Sequence, residues 1–202
     1  MDVKKNRCMK NIEFIKNVDI YLLDQCTKGN IRENSKVLDA GLGKGRNFRF
    51  LFNQGVNITG IDSNKKFVES LKSEFINAQQ SIIHSSIEDF VTTSKFDFIV
   101  CNAVLHFAKN HQQFDEMFAK LVGLLGVNGI LFIRMTSDIG IESLLKNGDN
   151  GVYNLPDGSS RYLITRSKID ELIEKHALNF LEPVKTVNVD NLRCMTTLVV
   201  NK

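Results

Sequence analysis

The chain alternates between short apolar runs and longer segments in which apolar residues recur every three or four positions. Runs bounded by glycine or polar residues are typical of buried strands, and the longer spacing is typical of amphipathic helices. The strand-like runs lie at 36–40, 56–62, 81–84, 96–103 and 129–135. Helices are predicted after Gly45, after Ser63 (which is placed to cap one) and over 111–125. This alternation predicts an open α/β sheet of parallel strands with right-handed crossovers.

The last part of the chain predicts a change in strand direction. Ser167 and Asp170 indicate the start of a helix that runs to Leu178. Two strands follow, and the turn between them around Asp190 and Asn191 is too short for the crossover that parallel strands need. We therefore expect a seven-stranded sheet that is mostly parallel and has an antiparallel C-terminal strand.

Length and composition predict one globular domain. The chain has 202 residues, of which 43% are hydrophobic and 24% are charged. Segment 140–163 is long for a loop and rich in Gly, Asn, Asp and Ser, which indicates a lid or a surface excursion. We expect a single domain over 1–202 with an N-terminal helix (10–29), a core (36–136), a possible lid (140–163) and a C-terminal helix and hairpin (165–202).

Charge and cysteine spacing exclude several classes of protein. The chain has 26 Lys and Arg against 23 Asp and Glu, which gives a net charge of +3. A nucleic-acid-binding surface would need a larger excess of positive charge. No apolar run is long enough for a transmembrane helix or follows the N-terminus as a signal peptide would. The cysteines are widely spaced, so we expect reduced thiols and no metal site. These features predict a cytoplasmic protein, and a monomer or homodimer is expected without a feature of the sequence that decides between them; the cysteines are Cys8, Cys26, Cys101 and Cys194.

A glycine-rich motif follows the first predicted strand. It reads VLDAGLGKGRN at 37–47, with glycine at positions 41, 43 and 45. Glycine lets the backbone turn tightly and approach a ligand closely. The helix that follows presents free N–H groups, which favour an anionic part of the ligand. The motif therefore predicts a ligand site above the first strand.

The residues around this motif narrow the ligand. A dinucleotide loop reads G-x-G-x-x-G, but Arg46 occupies the place of the third glycine. Asp39 suits a ligand that carries an ammonium and a carboxylate better than a pyrophosphate. Asp62 ends the second predicted strand, where an acid accepts hydrogen bonds from ribose hydroxyls, and segment 85–90 surrounds Ile87 as a seat for adenine. The strand ends predict a nucleoside joined to an amino acid, with an NAD(P)-dependent oxidoreductase as the alternative.

These motifs resemble the class I S-adenosylmethionine-dependent methyltransferases over roughly 36–136. ITGIDSN, FDFIVCNAVLHF and LLGVNGILFIR extend the match, and GKGRN is similar to tellurite-resistance-type and small-molecule methyltransferases. The resemblance implies a Rossmann-like doubly wound fold, S-adenosylmethionine as cofactor and S-adenosylhomocysteine as product. It implies that 36–136 is the cofactor-binding core, with contacts from Asp39, Gly41, Gly43, Gly45, Asp62, Ser86, Ile87, Glu88 and Asn102. Ser63 and Arg46 are further candidate contacts; Arg46 either pairs with the methionine carboxylate or lies exposed on the first helical turn.

Methyl transfer from a sulfonium mainly requires alignment of nucleophile, methyl and sulfur. An acceptor that must lose a proton also needs a base, and His106 after the fourth predicted strand is the candidate, with a packed histidine as the alternative. Asn102 is followed by Ala103 and Val104, so the Asn/Asp-Pro-Pro-aromatic motif of amino-methyltransferases acting on nucleic-acid bases is missing. We expect a small-molecule acceptor of unidentified structure. The alternative is a module that binds S-adenosylmethionine without turnover.

Overall fold

The computed structural model describes residue 15, residues 17–145 and residues 148–202. Cys8 and residues 10–14 and 16 of the predicted N-terminal helix lie outside this part. The helices are α1 (Ile20–Thr27), α2 (Arg46–Asn53), α3 (Lys65–Glu74), α4 (His111–Leu124) and α5 (Arg166–His176). The strands are β1 (Lys36–Ala40), β2 (Asn57–Asp62), β3 (Ile82–His84), β4 (Phe96–Asn102), β5 (Leu125–Ser137), β6 (Val152–Asn154), β7 (Ser160–Tyr162), β8 (Asn179–Phe180), β9 (Lys185–Val189) and β10 (Arg193–Asn201).

The main sheet has the order β3-β2-β1-β4-β5-β10-β8, with β9 also paired to β10. The first five strands run parallel, and β10 is antiparallel to β5, to β8 and to β9. The predicted mixed sheet is therefore confirmed. It holds eight strands because the predicted sixth strand is interrupted near Pro183, which lacks the N–H that a strand donates. Asp190 and Asn191 both have positive φ, as the predicted tight hairpin turn requires.

Helices cover both faces of the sheet, which makes the fold doubly wound. Phe98 and Ile99 of β4 are fully buried and point to opposite faces. On one face Phe98 packs in a cluster with Phe48 of α2 and residues of α1 and α3. On the other face Ile99 packs in a cluster with Phe118 of α4 and residues of α5. The central strands are thus shielded from water on both faces, and the carboxyl ends of the parallel strands remain available for a site.

The helix caps differ from those predicted. Helix α3 begins after Asn64, whose side chain accepts a hydrogen bond from the Lys66 N–H, so the predicted cap at Ser63 was wrong. Helix α5 begins after Thr165, whose Oγ1 accepts from the Lys168 N–H, so the cap lies two positions before Ser167. In both cases the capping residue has an extended backbone and aims its oxygen at the free N–H groups of the first turn.

Segment 140–163 has structure of its own. It contains a short 3₁₀ turn (Glu142–Leu144) and the antiparallel hairpin of β6 and β7. Tyr162 at the end of β7 is buried, stacks on Phe114 at 4.4 Å and shares a hydrogen bond with the His111 Nδ1 at 2.9 Å. The hairpin is therefore anchored to α4, and its action as a lid stays a prediction.

Phe48 tests the packing beneath the glycine loop. Its ring is fully buried and lies 6.0 Å from Phe52 and 5.5 Å from Phe75. We expect Phe48→Ala to lower the free energy of unfolding by about 3–5 kcal/mol in urea denaturation, because it leaves a cavity. Val91→Ala, at a side chain that is 89% exposed, is the control and should change it by less than about 0.5 kcal/mol. Equal losses in the two variants would contradict this packing.

Candidate functional site

A cavity of about 1060 Å³ opens at the carboxyl ends of β1, β2 and β4. Open α/β sheets bind ligands at this edge. The volume is at the upper end of the roughly 300–1,000 Å³ usual for small-molecule sites, so it has room for a cofactor and a small acceptor. Nine of the predicted contact residues line it, namely Gly41, Gly43, Arg46, Asp62, Ser63, Ser86, Ile87, Glu88 and Asn102.

The glycine loop is held against the end of β2 by hydrogen bonds. The Gly43 N–H donates to Asp62 Oδ2 at 2.7 Å, and the Asn64 N–H donates to Asp62 Oδ1 at 2.7 Å. The Gly41 N–H donates to the Ile61 carbonyl at 2.8 Å. These bonds orient the Asp62 carboxylate, and each of its oxygens keeps a lone pair for a ligand hydroxyl.

Two glycines in the loop are required by close contacts. Gly41 has φ +90°, and a Cβ there would lie 2.2 Å from a Val104 methyl. Gly45 has φ +78°, and a Cβ there would lie 2.5 Å from a Leu71 methyl. An L side chain is strained at these φ values and has no space at either position. Gly45 therefore serves the packing of the loop and does not line the cavity.

Buried polar atoms without partners lie at the site. Asp39 is 2% exposed and sits behind the loop; its Oδ2 has no hydrogen-bond partner. Burial raises the pKa of Asp39 to about 7. The negative charge of Asp62 also raises this pKa, and the positive charge of Arg46 lowers it in part. Asn102 lines the cavity, and neither its Oδ1 nor its Nδ2 has a partner. Because such groups are costly to leave unpaired, a ligand rich in donors and acceptors, such as a nucleoside joined to an amino acid, fits here.

Arg46 faces a carboxylate of the chain itself. Its guanidinium is half-exposed and lies 3.6 Å from Asp19 Oδ2, which is also 3.5 Å from Arg134. Asp19 caps α1, and its backbone N–H donates to the Asn47 side chain at 3.2 Å. These contacts bring Asn17 and Val18 to the cavity wall, which sequence reasoning missed. The contact of Arg46 with a ligand carboxylate stays a prediction.

The predicted adenine segment forms a compact turn. Ser86 Oγ donates to Asp89 Oδ2 at 2.7 Å, and Glu88 Oε1 accepts from the Gln113 side chain at 2.8 Å. Ile87 is 4% exposed and lies at the cavity wall. Helix α4 adds two side chains that the sequence did not indicate; these are Gln113 and Met117.

His106 does not line the large cavity. It is 6% exposed and lies with Arg161 and Tyr162 in a second cavity of about 320 Å³, and Phe107 lines both cavities. Burial lowers the pKa of His106 to about 4, helped by the charges of Arg161 and Arg193. Its imidazole is therefore neutral at neutral pH, and its role as a base stays a prediction.

The described residues show neither a metal-ligand cluster nor a membrane-spanning helix. In that part of the chain no three or more His, Cys, Asp and Glu side chains lie together as metal ligands would. None of the helices there combines the length and hydropathy needed to cross a bilayer. Cys26, Cys101 and Cys194 are free thiols.

Gly41 tests the close approach of the loop to Val104. Gly41→Ala and the control Gly55→Ala both place a side chain at positive φ, but position 55 opens to free space. We expect each variant to lose about 1–2 kcal/mol of unfolding free energy from backbone strain. Gly41→Ala should lose about 1–3 kcal/mol more, because Val104 must move. Equal melting temperatures for the two variants would contradict the contact.

The raised pKa of the buried Asp39 carboxyl should make the stability of the fold depend on pH. The pKa of its carboxyl rises from the ordinary 3.8 to about 7 in the folded protein. The folded state therefore holds a proton that the unfolded state releases, so this group makes stability fall as pH rises from about 4 to 7. Asp39→Asn should remove that part of the fall in urea denaturation across this range. An unchanged slope in the variant would count against the buried carboxyl.

Comparison with known proteins finds a family model that matches the central part of the chain. Residues 38–133 match the family model described as "Methyltransferase domain". A ubiquinone biosynthesis O-methyltransferase of Rickettsia akari (strain Hartford) is 30% identical over 117 residues, which cover 56% of this chain and 45% of that protein. The chain spans about half the length of the curated relatives that it matches.

Solved structures share the fold. An S-adenosylmethionine-dependent methyltransferase from Clostridium acetobutylicum ATCC 824 superposes with a TM-score of 0.69 at 16% identity, over 98% of this chain and 97% of that one. A Burkholderia thailandensis 1,6-didemethyltoxoflavin-N1-methyltransferase, with bound 1,6-didemethyltoxoflavin and S-adenosylhomocysteine, has a TM-score of 0.65 at 17% identity, over 88% and 74%. The resemblance seen in the motifs is confirmed at this level: residues 38–133 match a methyltransferase domain, and solved structures of S-adenosylmethionine-dependent methyltransferases share the fold.

Proposed function

We propose that this protein transfers the methyl group of S-adenosylmethionine to a small-molecule acceptor. The observation that carries the proposal is the large cavity, where the glycine loop, Asp62 and Asn102 meet beside unpartnered buried polar atoms. Arg46 and Asp39 disfavour the oxidoreductase alternative, as the motif already indicated. A cytoplasmic monomer or homodimer that binds no nucleic acid remains our expectation from composition.

Each element of the cavity has a role in holding the cofactor. Asp62 accepts hydrogen bonds from the two ribose hydroxyls with oxygens that the Gly43 and Asn64 N–H groups already orient. Ile87 packs on the adenine, and Ser86 and Glu88 flank it. The backbone from Gly41 to Lys44 holds the methionine part, with Asp39 beneath it.

The transfer is an in-line displacement, and the bound cofactor supplies an electrophilic methyl group on a sulfonium. The chain fixes the line of attack by holding both reactants in one cavity, which lowers the entropic part of the barrier. Asn102 offers its free amide at the end of β4, next to the reacting centre. A soft anionic acceptor needs no further help from the protein, whereas a hydroxyl must lose a proton, for which His106 is the candidate base.

Similar proteins support a small acceptor. A relative is named for O-methylation in ubiquinone biosynthesis, and a structural neighbour holds 1,6-didemethyltoxoflavin. Oxygen and nitrogen acceptors on small molecules are therefore the first to screen. Binding of cofactor without product from any acceptor in a broad panel would favour the non-catalytic module instead.

Asp62 provides the test of the cofactor assignment. We expect Asp62→Ala to weaken binding of S-adenosylhomocysteine by roughly 1–3 kcal/mol in calorimetric titration, because the ribose loses a charged acceptor. Asp97→Ala is the matched control. The Asp97 carboxylate also accepts a hydrogen bond from a backbone N–H, that of Lys36 at 2.8 Å, but it lies at the amino ends of the strands, away from the cavity. Unchanged affinity in Asp62→Ala, or an equal loss in the control, would refute the assignment.

A further inference from the structure

The second cavity is built from two parts of the chain that are distant in sequence. The turn after β4 supplies His106, Phe107 and Lys109, and the β6–β7 hairpin supplies Arg161 and Tyr162. Tyr162 is fixed by its stacking on Phe114, so the floor of this cavity is rigid. The cavity is therefore a preformed part of the domain.

Positive charge in this cavity is not neutralised. Among the described residues, no carboxylate oxygen lies within 4 Å of a charged nitrogen of Arg161 or Lys109. The nearby carboxylate of Asp157 is engaged by Arg193 at 3.0 Å. His106 adds an imidazole whose Nδ1 is buried and has no hydrogen-bond partner. Two free cations and a polar buried ring favour an anion.

Phe107 is a wall residue of both this cavity and the large one. Its side chain is 60% exposed and lines both cavities. The Arg161 guanidinium lies over its ring, 4.9 Å from the ring centre. Phe107 and Arg161 thus bring an apolar ring and a cation together at the side of the second cavity that shares a wall with the large one.

We propose that the second cavity binds a carboxylate of the methyl acceptor, so that the acceptor is a small organic acid whose apolar body lies against Phe107. This inference rests on the proposed function, since it places the reacting atom beside Asn102. Arg161 pairs with the carboxylate, Lys109 adds a second charge, and neutral His106 can donate a hydrogen bond to it, a role that replaces that of a base. The arrangement selects acids over their uncharged analogues and fixes which acceptor atom faces the methyl group.

Matched pairs of ligands test this subsite. Benzoate, 3,4-dihydroxybenzoate, phenylacetate and indole-3-acetate are titrated against their carboxamides, by calorimetry, on protein with and without saturating S-adenosylhomocysteine. We expect at least one acid to bind roughly 10- to 100-fold more tightly than its amide, as a charged hydrogen-bonded pair implies. Arg161→Gln should remove that preference, and Lys109→Gln should reduce it. Arg166→Gln, at an exposed arginine that lines neither cavity, is the matched control and should keep it.

Three results would overturn the subsite. They are equal affinity for acids and amides, no binding of any pair member, and a preference that survives in the Arg161→Gln, Lys109→Gln double variant. The cofactor titration separates this failure from that of the proposed function. If S-adenosylhomocysteine binds and the acid preference is absent, only the subsite is wrong; if it does not bind, the proposed function fails whatever the acids do.

Discussion

The hydrogen bond from the Gly43 N–H to the Asp62 carboxylate links the two strands on which the site depends. Since β1 and β2 are parallel neighbours, their carboxyl ends meet at one edge, and this bond holds the loop after β1 against the last residue of β2. The contact of Gly41 with Val104 fixes the same loop against the segment after β4. The loop is thus held on both sides before any ligand binds, so ordering it adds little cost to binding.

The rest of the site follows from the same edge. The large cavity lies between the loop and the end of β4, and the chain continues there into the turn that carries His106 and Phe107. Neighbouring side chains on this turn face different cavities: His106 faces the smaller one, and Phe107 lines both. A cofactor held by Asp62 and an acceptor held beside Phe107 would approach each other at Asn102.

The parts of this arrangement that depend on local chemistry could be predicted from the sequence. Strands buried on both faces leave continuous apolar runs, and the positive φ at Gly41 requires glycine. The contribution of Val18 could not be predicted, because it depends on contacts of Asp19 with residues far along the chain. The direction of the His106 side chain could not be predicted from the sequence either, because it depends on a short 3₁₀ turn at Leu105–Phe107. The interruption of the edge strand at Pro183 was missed, although proline cannot donate to a ladder.

The most direct test of the central claim is calorimetric titration of the wild-type protein with S-adenosylhomocysteine, NAD and NADP. The account predicts saturable binding of S-adenosylhomocysteine at one site and no binding of either dinucleotide. Binding of NAD or NADP in its place would contradict it, because the glycine loop and Asp62 would then hold a pyrophosphate-bearing ligand.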